Sequence, residues 1–238
     1  MILAAHQLHY LPWLRYFHKI AQADVFVILD NIQFTKNDWH NRNKIKGSQG
    51  ALILTVPVLH KFGQPLCDVQ IDNKQPWRRK HWGSISNYYS KAPYFKDHEP
   101  FLKKIYETDW EKLNDINYEM FFYFSKALGI KTQIVRSSEM PLQGEATARL
   151  IEICKQSNAM VYMTGAYAAE VYLDPKLFEQ EGIQLLTHSF DCPKYTQQFS
   201  DVDFVPELSI LDLLLNCGPK SFEILMSASD YSAHGEAK

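Results

Sequence analysis

The chain has no pair of cysteines close enough in sequence to form a metal or redox motif. Cys67, Cys154, Cys192 and Cys217 stand far apart; without a C-x-x-C unit they read as reduced thiols rather than zinc ligands or a dithiol. Charge of one sign is also lacking. The 25 Lys and Arg oppose 27 Asp and Glu, for a formal charge of −2, so no global field gathers polyanions. The one basic run, Arg78-Arg79-Lys80-His81, is the size of an ordinary solvated helix face, and nucleic acid is not expected as a partner. No stretch reaches the ~18 apolar residues of a membrane span, and the start carries neither the basic region nor the long apolar core of a secretory signal. No transmembrane segment and a cytoplasmic location are expected. G-x-x-x-x-G-K-[ST], G-x-G-x-x-G and G-x-S-x-G are all missing, which argues against P-loop, dinucleotide-binding and α/β-hydrolase chemistry.

What the chain does have is an ordinary globular balance, 46% apolar and 22% charged, with 13% aromatic residues that crowd between Trp77 and Phe124. Its opening, "MILAA" then His6, reads as a buried strand. "LRYFHKIAQA" reads as a helix with Leu14, Phe17, Ile20 and Ala21 on one face, and "DVFVILD" as a second strand. Apolar strands without alternation belong to a parallel sheet covered on both faces, and a right-handed crossover sets the first two side by side. "ALILTVPV" reads as a third strand and "CDVQID" as a fourth. Residues 76–128 read as an aromatic helical insertion, broken by Pro93 and again near Pro100. Strands at "TQIVRSS", "AMVYMTG" and "IQLLTHSF" then alternate with helices at "EATARLIEICKQS" and "DPKLFEQEG", and "LSILDLLLNCG" is a last helix. The expected fold is α/β, mostly parallel, opening β-α-β: one domain over 1–226 and a loose polar tail at 227–238.

The candidate site lies beyond the carboxyl ends of the first two strands, where such folds bind ligands. His6-x-x-His9 at a strand-to-helix junction combines two imidazoles with the free N–H groups of a helix start near Pro12, a layout that nucleotidylyltransferases of the H-x-x-H kind also use. Tyr10 and Trp13 add flat apolar faces. Asp30 precedes a loop dense in amides, with Gln33, Asn41 and Arg42 suited to sugar and phosphate; Arg42 can grip a phosphate with its fork, and Asp30 or His6 can act as base. Gly165, ending a strand, lets backbone approach a ligand. Ser209, Asp212 and Asn216 interrupt an apolar helix, either tying down neighbouring loops or lining the pocket. His6, His9 and Asp30 lack ligand spacing and a third close carboxylate, so no metal is expected.

At these residues the sequence resembles the WbqC-like family of bacterial proteins, through "HQLHYLPWLRYFHKIAQADVFVILDNIQFTKNDWHNRNKI", "LTVPV", "YMTGAYAAEVYLD" and "LSILDLLLNCG". Carried over by position, the H-Q-x-x-Y-L-P-W signature gives His6, Gln7, Tyr10, Leu11, Pro12 and Trp13. The later pattern gives Asp30, Gln33, Asn41, Arg42, Gly165, Asp174, Ser209, Asp212, Asn216 and Gly218. The chain departs from that pattern at Leu8 and Arg15, and where an acidic pair is usual it has Asp30-Asn31. His9 is outside the signature, which favours His6 as the catalytic residue. The resemblance implies a transferase of O-antigen or capsule biosynthesis that acylates, with glycine, an amino sugar carried on a nucleotide or lipid. No cofactor is expected to be required, and the donor is left open. Two other readings stay open: a nucleotidylyl- or adenylate-forming transferase working through His6 and His9, and a non-catalytic sugar-binding or scaffold protein of a polysaccharide assembly.

Overall fold

A computed structural model of the chain describes residues 1–228, so most of the expected tail at 227–238 lies outside the described residues. The chain opens with β1 (Ile2–His6), α1 (Leu14–Ala21) and β2 (Val25–Ile28). An antiparallel hairpin follows, β3 (Arg42–Gly47) with β4 (Gly50–Thr55), and then a short pair, β5 (Val58–Leu59) with β6 (Gln70–Ile71). Three helices come next: α2 (Trp77–Tyr89), α3 (Phe95–Glu107) and α4 (Leu113–Leu128). Alternation resumes with β7 (Gln133–Arg136), α5 (Ala146–Gln156), β8 (Val161–Gly165), α6 (Ala166–Val171), α7 (Pro175–Gln180) and β9 (Gln184–His188). The described chain finishes on α8 (Ile210–Cys217) and α9 (Ser221–Met226).

β1, β2, β7, β8 and β9 form one sheet in the order β7-β2-β1-β8-β9, every pair parallel. The β-α-β opening is present, with Leu3 opposite Val25 and His6 opposite Ile28. Side chains alternate between faces, so each inner strand serves two cores. Ala4, Phe26 and Met163 meet α1, α4 and α8 on one face, while Leu3, Ala5, Val27 and Tyr162 meet α5 and α7 on the other. Phe121 of α4 stacks on Phe17 at 6.2 Å and on Phe26 at 5.9 Å between ring centres. Burial of each such ring stabilises the fold by about 2–3 kcal/mol, and the aromatic surplus of 77–128 thereby walls one face of the sheet. Gly129, at φ 73°, ends α4 in the left-handed conformation that glycine tolerates best.

Two expectations are corrected. "ALILTVPV" is a strand but lies outside the parallel sheet, paired with Arg42–Gly47, which reads in sequence as polar loop. That polar appearance conceals burial on both sides of the strand: the consecutive Ile45 and Lys46 point to opposite sides and are both enclosed, the Lys46 ammonium donating to the carbonyls of Val202 and Asp203 at 3.2 Å each. The helices do not break near Pro100, because α3 runs through it to Glu107 and the gap falls before Leu113. Pro100 cannot donate to the Lys96 carbonyl one turn back, and both residues are exposed, so water can satisfy that carbonyl.

Candidate active site

Because all five strands of the sheet run the same way, their carboxyl ends share one edge, and the candidate site is built there. His6 is the last residue of β1. Pro12 precedes α1, which begins at Leu14, and its carbonyl accepts from the Ile210 amide at 2.8 Å. Both histidines therefore stand before the helix, at the strand-to-helix junction expected from sequence, with Pro12 two residues ahead of the first helical position. The intervening loop passes through Leu11, a fully buried residue at φ 46°. For a leucine that conformation costs roughly 1–3 kcal/mol, so the surrounding packing fixes the loop.

The loop folds His9 back onto His6. His6 Nδ1 and His9 Nε2 are hydrogen-bonded at 3.1 Å, and His6 Nδ1 lies 3.3 Å from the Gln7 carbonyl. The Gln7 carbonyl also accepts from the Tyr16 hydroxyl at 2.9 Å. His40 completes the group, its ring centre 5.4 Å from that of His9 and its Nε2 3.6 Å from the Asp38 carboxylate. Burial, with Lys19 and His40 adding positive charge nearby, holds the His6 imidazole well below its usual range; burial and the neighbouring His6 do the same for His9. Both are neutral at pH 7. Trp13 stands edge-on to His9 at 4.8 Å and to Trp39 at 5.9 Å, and the Arg42 guanidinium lies 5.7 Å from the Trp39 ring centre while donating to the Asn37 carbonyl. Beside them Trp13, Trp39, Arg15, Lys44, Asn43 and Glu207 line an open cavity of about 290 Å³.

The remaining candidates have other partners. Asp30 is buried and its carboxylate fully engaged: it accepts from Ser138 Oγ at 2.6 Å, the Tyr118 hydroxyl at 2.8 Å, and Ser137 Oγ and the Ser138 amide at 3.0 Å each. Burial alone would raise its pKa, but the hydrogen bonds from Ser138, Tyr118 and Ser137 outweigh it and the net shift is downward. Tyr10 points into the helical layer, bonded to His81 Nδ1 at 2.8 Å and the Tyr106 hydroxyl at 2.7 Å. Asn41 donates to the Val56 carbonyl at 2.7 Å, fastening the hairpin, and Gln33 is exposed, bridging in backbone to Pro65. Ser209 caps α8, Asp212 accepts from the hydroxyls of Tyr89 and Tyr195 at 2.7 and 2.8 Å, and the Asn216 carbonyl accepts from Gln198 at 2.9 Å. Ser209 thus secures the start of α8, Asp212 joins α8 to α2 and to the loop at Tyr195, and Asn216 joins it to the loop at Gln198. Gly165 ends β8 at the site edge.

Residues that sequence reading did not single out complete the edge. His188 ends β9 and its Nε2 bonds His18 Nδ1 at 2.8 Å. Lys19, beside His18 on α1, is buried, with its ammonium 3.4 Å from the Ala5 carbonyl. The signal available in sequence was His18-Lys19 on the helix next to the paired histidines, with His18 four residues after Leu14 and so on the same helix face.

The model of the WbqC-like protein family matches residues 7–224. The chain belongs to the WbqC-like family. This WbqC-like protein is 36% identical over 223 residues to "Uncharacterized protein Rv1507c" of Mycobacterium tuberculosis (strain ATCC 25618 / H37Rv), covering 92% of this chain and 95% of that one. No solved structure matches it. The family match takes in the His6–His9 loop from Gln7 onward, the β3–β4 hairpin and α8.

Proposed function

We propose that this WbqC-like protein is a transferase that moves an acyl group, glycyl by family resemblance, onto the amino group of a nucleotide- or lipid-linked sugar for bacterial surface polysaccharide. The observation that carries the reading is the hydrogen-bonded, uncharged His6–His9 pair at the carboxyl edge of the sheet, close to a cavity walled by two tryptophans and charged side chains. Indole faces suit the apolar face of a sugar ring, and Arg15 and Lys44 suit a phosphate or hydroxyl. In the reaction His6 takes a proton from the attacking ammonium-derived amine as its nitrogen bonds to the acyl carbon. The bond from that carbon to the leaving group then breaks, and the imidazolium returns the proton to the leaving group. His9 shares a hydrogen bond with His6 and orients it. Asp30 is the poorer base, since its oxygens are already occupied and its pKa lies low.

The test is to incubate purified protein with nucleotide-linked amino sugars and acyl donors, with and without nucleoside triphosphate, and follow mass. A gain equal to one acyl group supports the reading. Pyrophosphate release replaces it with nucleotidyl or adenylyl transfer, and sugar binding without turnover, unaffected by His6→Ala, replaces it with a binding module.

A further inference from the structure

Lys19 is 6% exposed, yet among the described residues its only hydrogen bond is the long one to the Ala5 carbonyl, and no Asp or Glu pairs with it. Lysines are rarely buried without a partner, because desolvating an ammonium is costly. Burial pushes its pKa down to about 8. A second observation bears on the same place. In the sheet register Ala4 lies opposite Met163, and Gly165 opposite His188. Side chains two apart on a strand share a face and paired residues point the same way, so His6, Gly165 and His188 stand on one face in neighbouring strands, the face that α1 covers. The middle position has no side chain. Gly165 sits at φ −74° and ψ 152°, open to any residue, and a Cβ there would meet nothing within 4 Å. Its backbone does not require glycine; what the glycine leaves is space, between two imidazoles and near an unpaired cation.

We propose that the space over Gly165 is an anion subsite in which Lys19, flanked by His6 and His188, binds a carboxylate or phosphate oxygen of the substrate. The ammonium can direct its unused N–H groups to the anion, and neutral imidazoles on either side supply N–H donors without competing for its charge. His18 holds His188 from behind. The inference deepens the transferase reading of this edge: the subsite anchors the charged end of a ligand within reach of His6. It is read by binding alone, so a protein that binds the anion and shows no turnover keeps the inference and loses the transferase.

The experiment measures the melting temperature of the full chain in inorganic phosphate and in acetate against chloride at matched ionic strength. With anion at about a hundred times its Kd, mass action raises the melting temperature by roughly 5 °C, and the anion that does so identifies the source of the oxygen. Lys19→Met keeps the stem and removes the charge. It is expected to weaken anion binding about tenfold or more while melting at the same or a higher temperature, because the desolvation cost is gone. Gly165→Leu fills the space and is expected to abolish the shift with Lys19 intact, and it decides the matter if Lys19→Met does not fold. The inference is overturned if neither anion stabilises the wild-type protein, if Lys19→Met responds to the anion as wild type does, or if Gly165→Leu binds undiminished.

Discussion

His6 Nδ1 lies 3.1 Å from His9 Nε2, and a single proton occupies the line between them. One ring donates and the other accepts, so the pair sets each other's tautomer. Positive charge on either ring removes its acceptor nitrogen and brings it beside Lys19 and His40. His6→Ala is expected to lower turnover about a hundredfold, the order of a general-base contribution, with an unchanged melting temperature; turnover lost only in proportion to folded protein would remove His6 from catalysis. Because burial lowers both pKa values, the rate should stay level as pH falls through 6.5 and decline only below it.

Stability should depend on a different histidine of the same edge, His188. Burial, then His18, Lys19 and Arg15, hold His188 down to about 3 against an ordinary 6.5. The unfolded chain therefore takes up its proton first. Stability is complete above pH 6.5 and is lost toward pH 3, at about 1.4 kcal/mol per pH unit for each such group. Denaturant midpoints between pH 7 and 4.5 measure this, and His188→Gln should flatten the slope.

Lys19 gives a window at the other end. Its folded pKa of about 8 lies under the ordinary 10.5, so above pH 8 the unfolded state holds the proton that the native state has released, and stability rises with pH. Between pH 8 and 9.5 wild type should gain on Lys19→Met. Parallel curves for the two proteins would place the Lys19 ammonium in water.

Asp212 is predicted to matter for folding alone. It is fully buried, accepts two tyrosine hydroxyls, and burial raises its pKa. Asp212→Ala leaves both hydroxyls without their acceptor and should cost about 3 kcal/mol, roughly 10 °C in melting temperature, with activity per folded molecule unaltered. A normal melt with lost activity would return Asp212 to the site.

Trp39→Ala should raise the Michaelis constant for the sugar about tenfold and leave kcat nearly unchanged, since a stacking face binds ground and transition states alike. A fall confined to kcat would mean that Trp39 positions His9 instead.

The fold was legible where apolar runs were pure. "MILAA" and "DVFVILD" could only be strands covered on both faces, and their pairing followed from the crossover rule. The β3 strand was hidden because Lys46 is a buried lysine, a cation in an interior position that hydropathy reads as loop. The site was half legible. His6, His9 and Trp13 are neighbours in sequence and their loop brings them together, whereas His188 reaches the edge only through sheet register, and Lys19 is on a helix that is buried nearly all round. Asp30, Tyr10 and Asp212 had the right chemistry; their hydroxyl, amide and imidazole partners, distant in sequence, engage them elsewhere.

The sheet order β7-β2-β1-β8-β9 puts at the centre the strand made before the other four. β1 can pair with β2 as soon as Ile28 has emerged, but its other edge pairs with Val161–Met163, which are made more than a hundred residues later. At synthesis rates of about 5–20 residues per second that edge stays open for several seconds, a template for unwanted pairing. Any chaperone demand of this protein should therefore concentrate on nascent chains that end between Ile28 and Val161, in which His6 already has His9 and Tyr16 within reach but still lacks the β8 side of its surroundings.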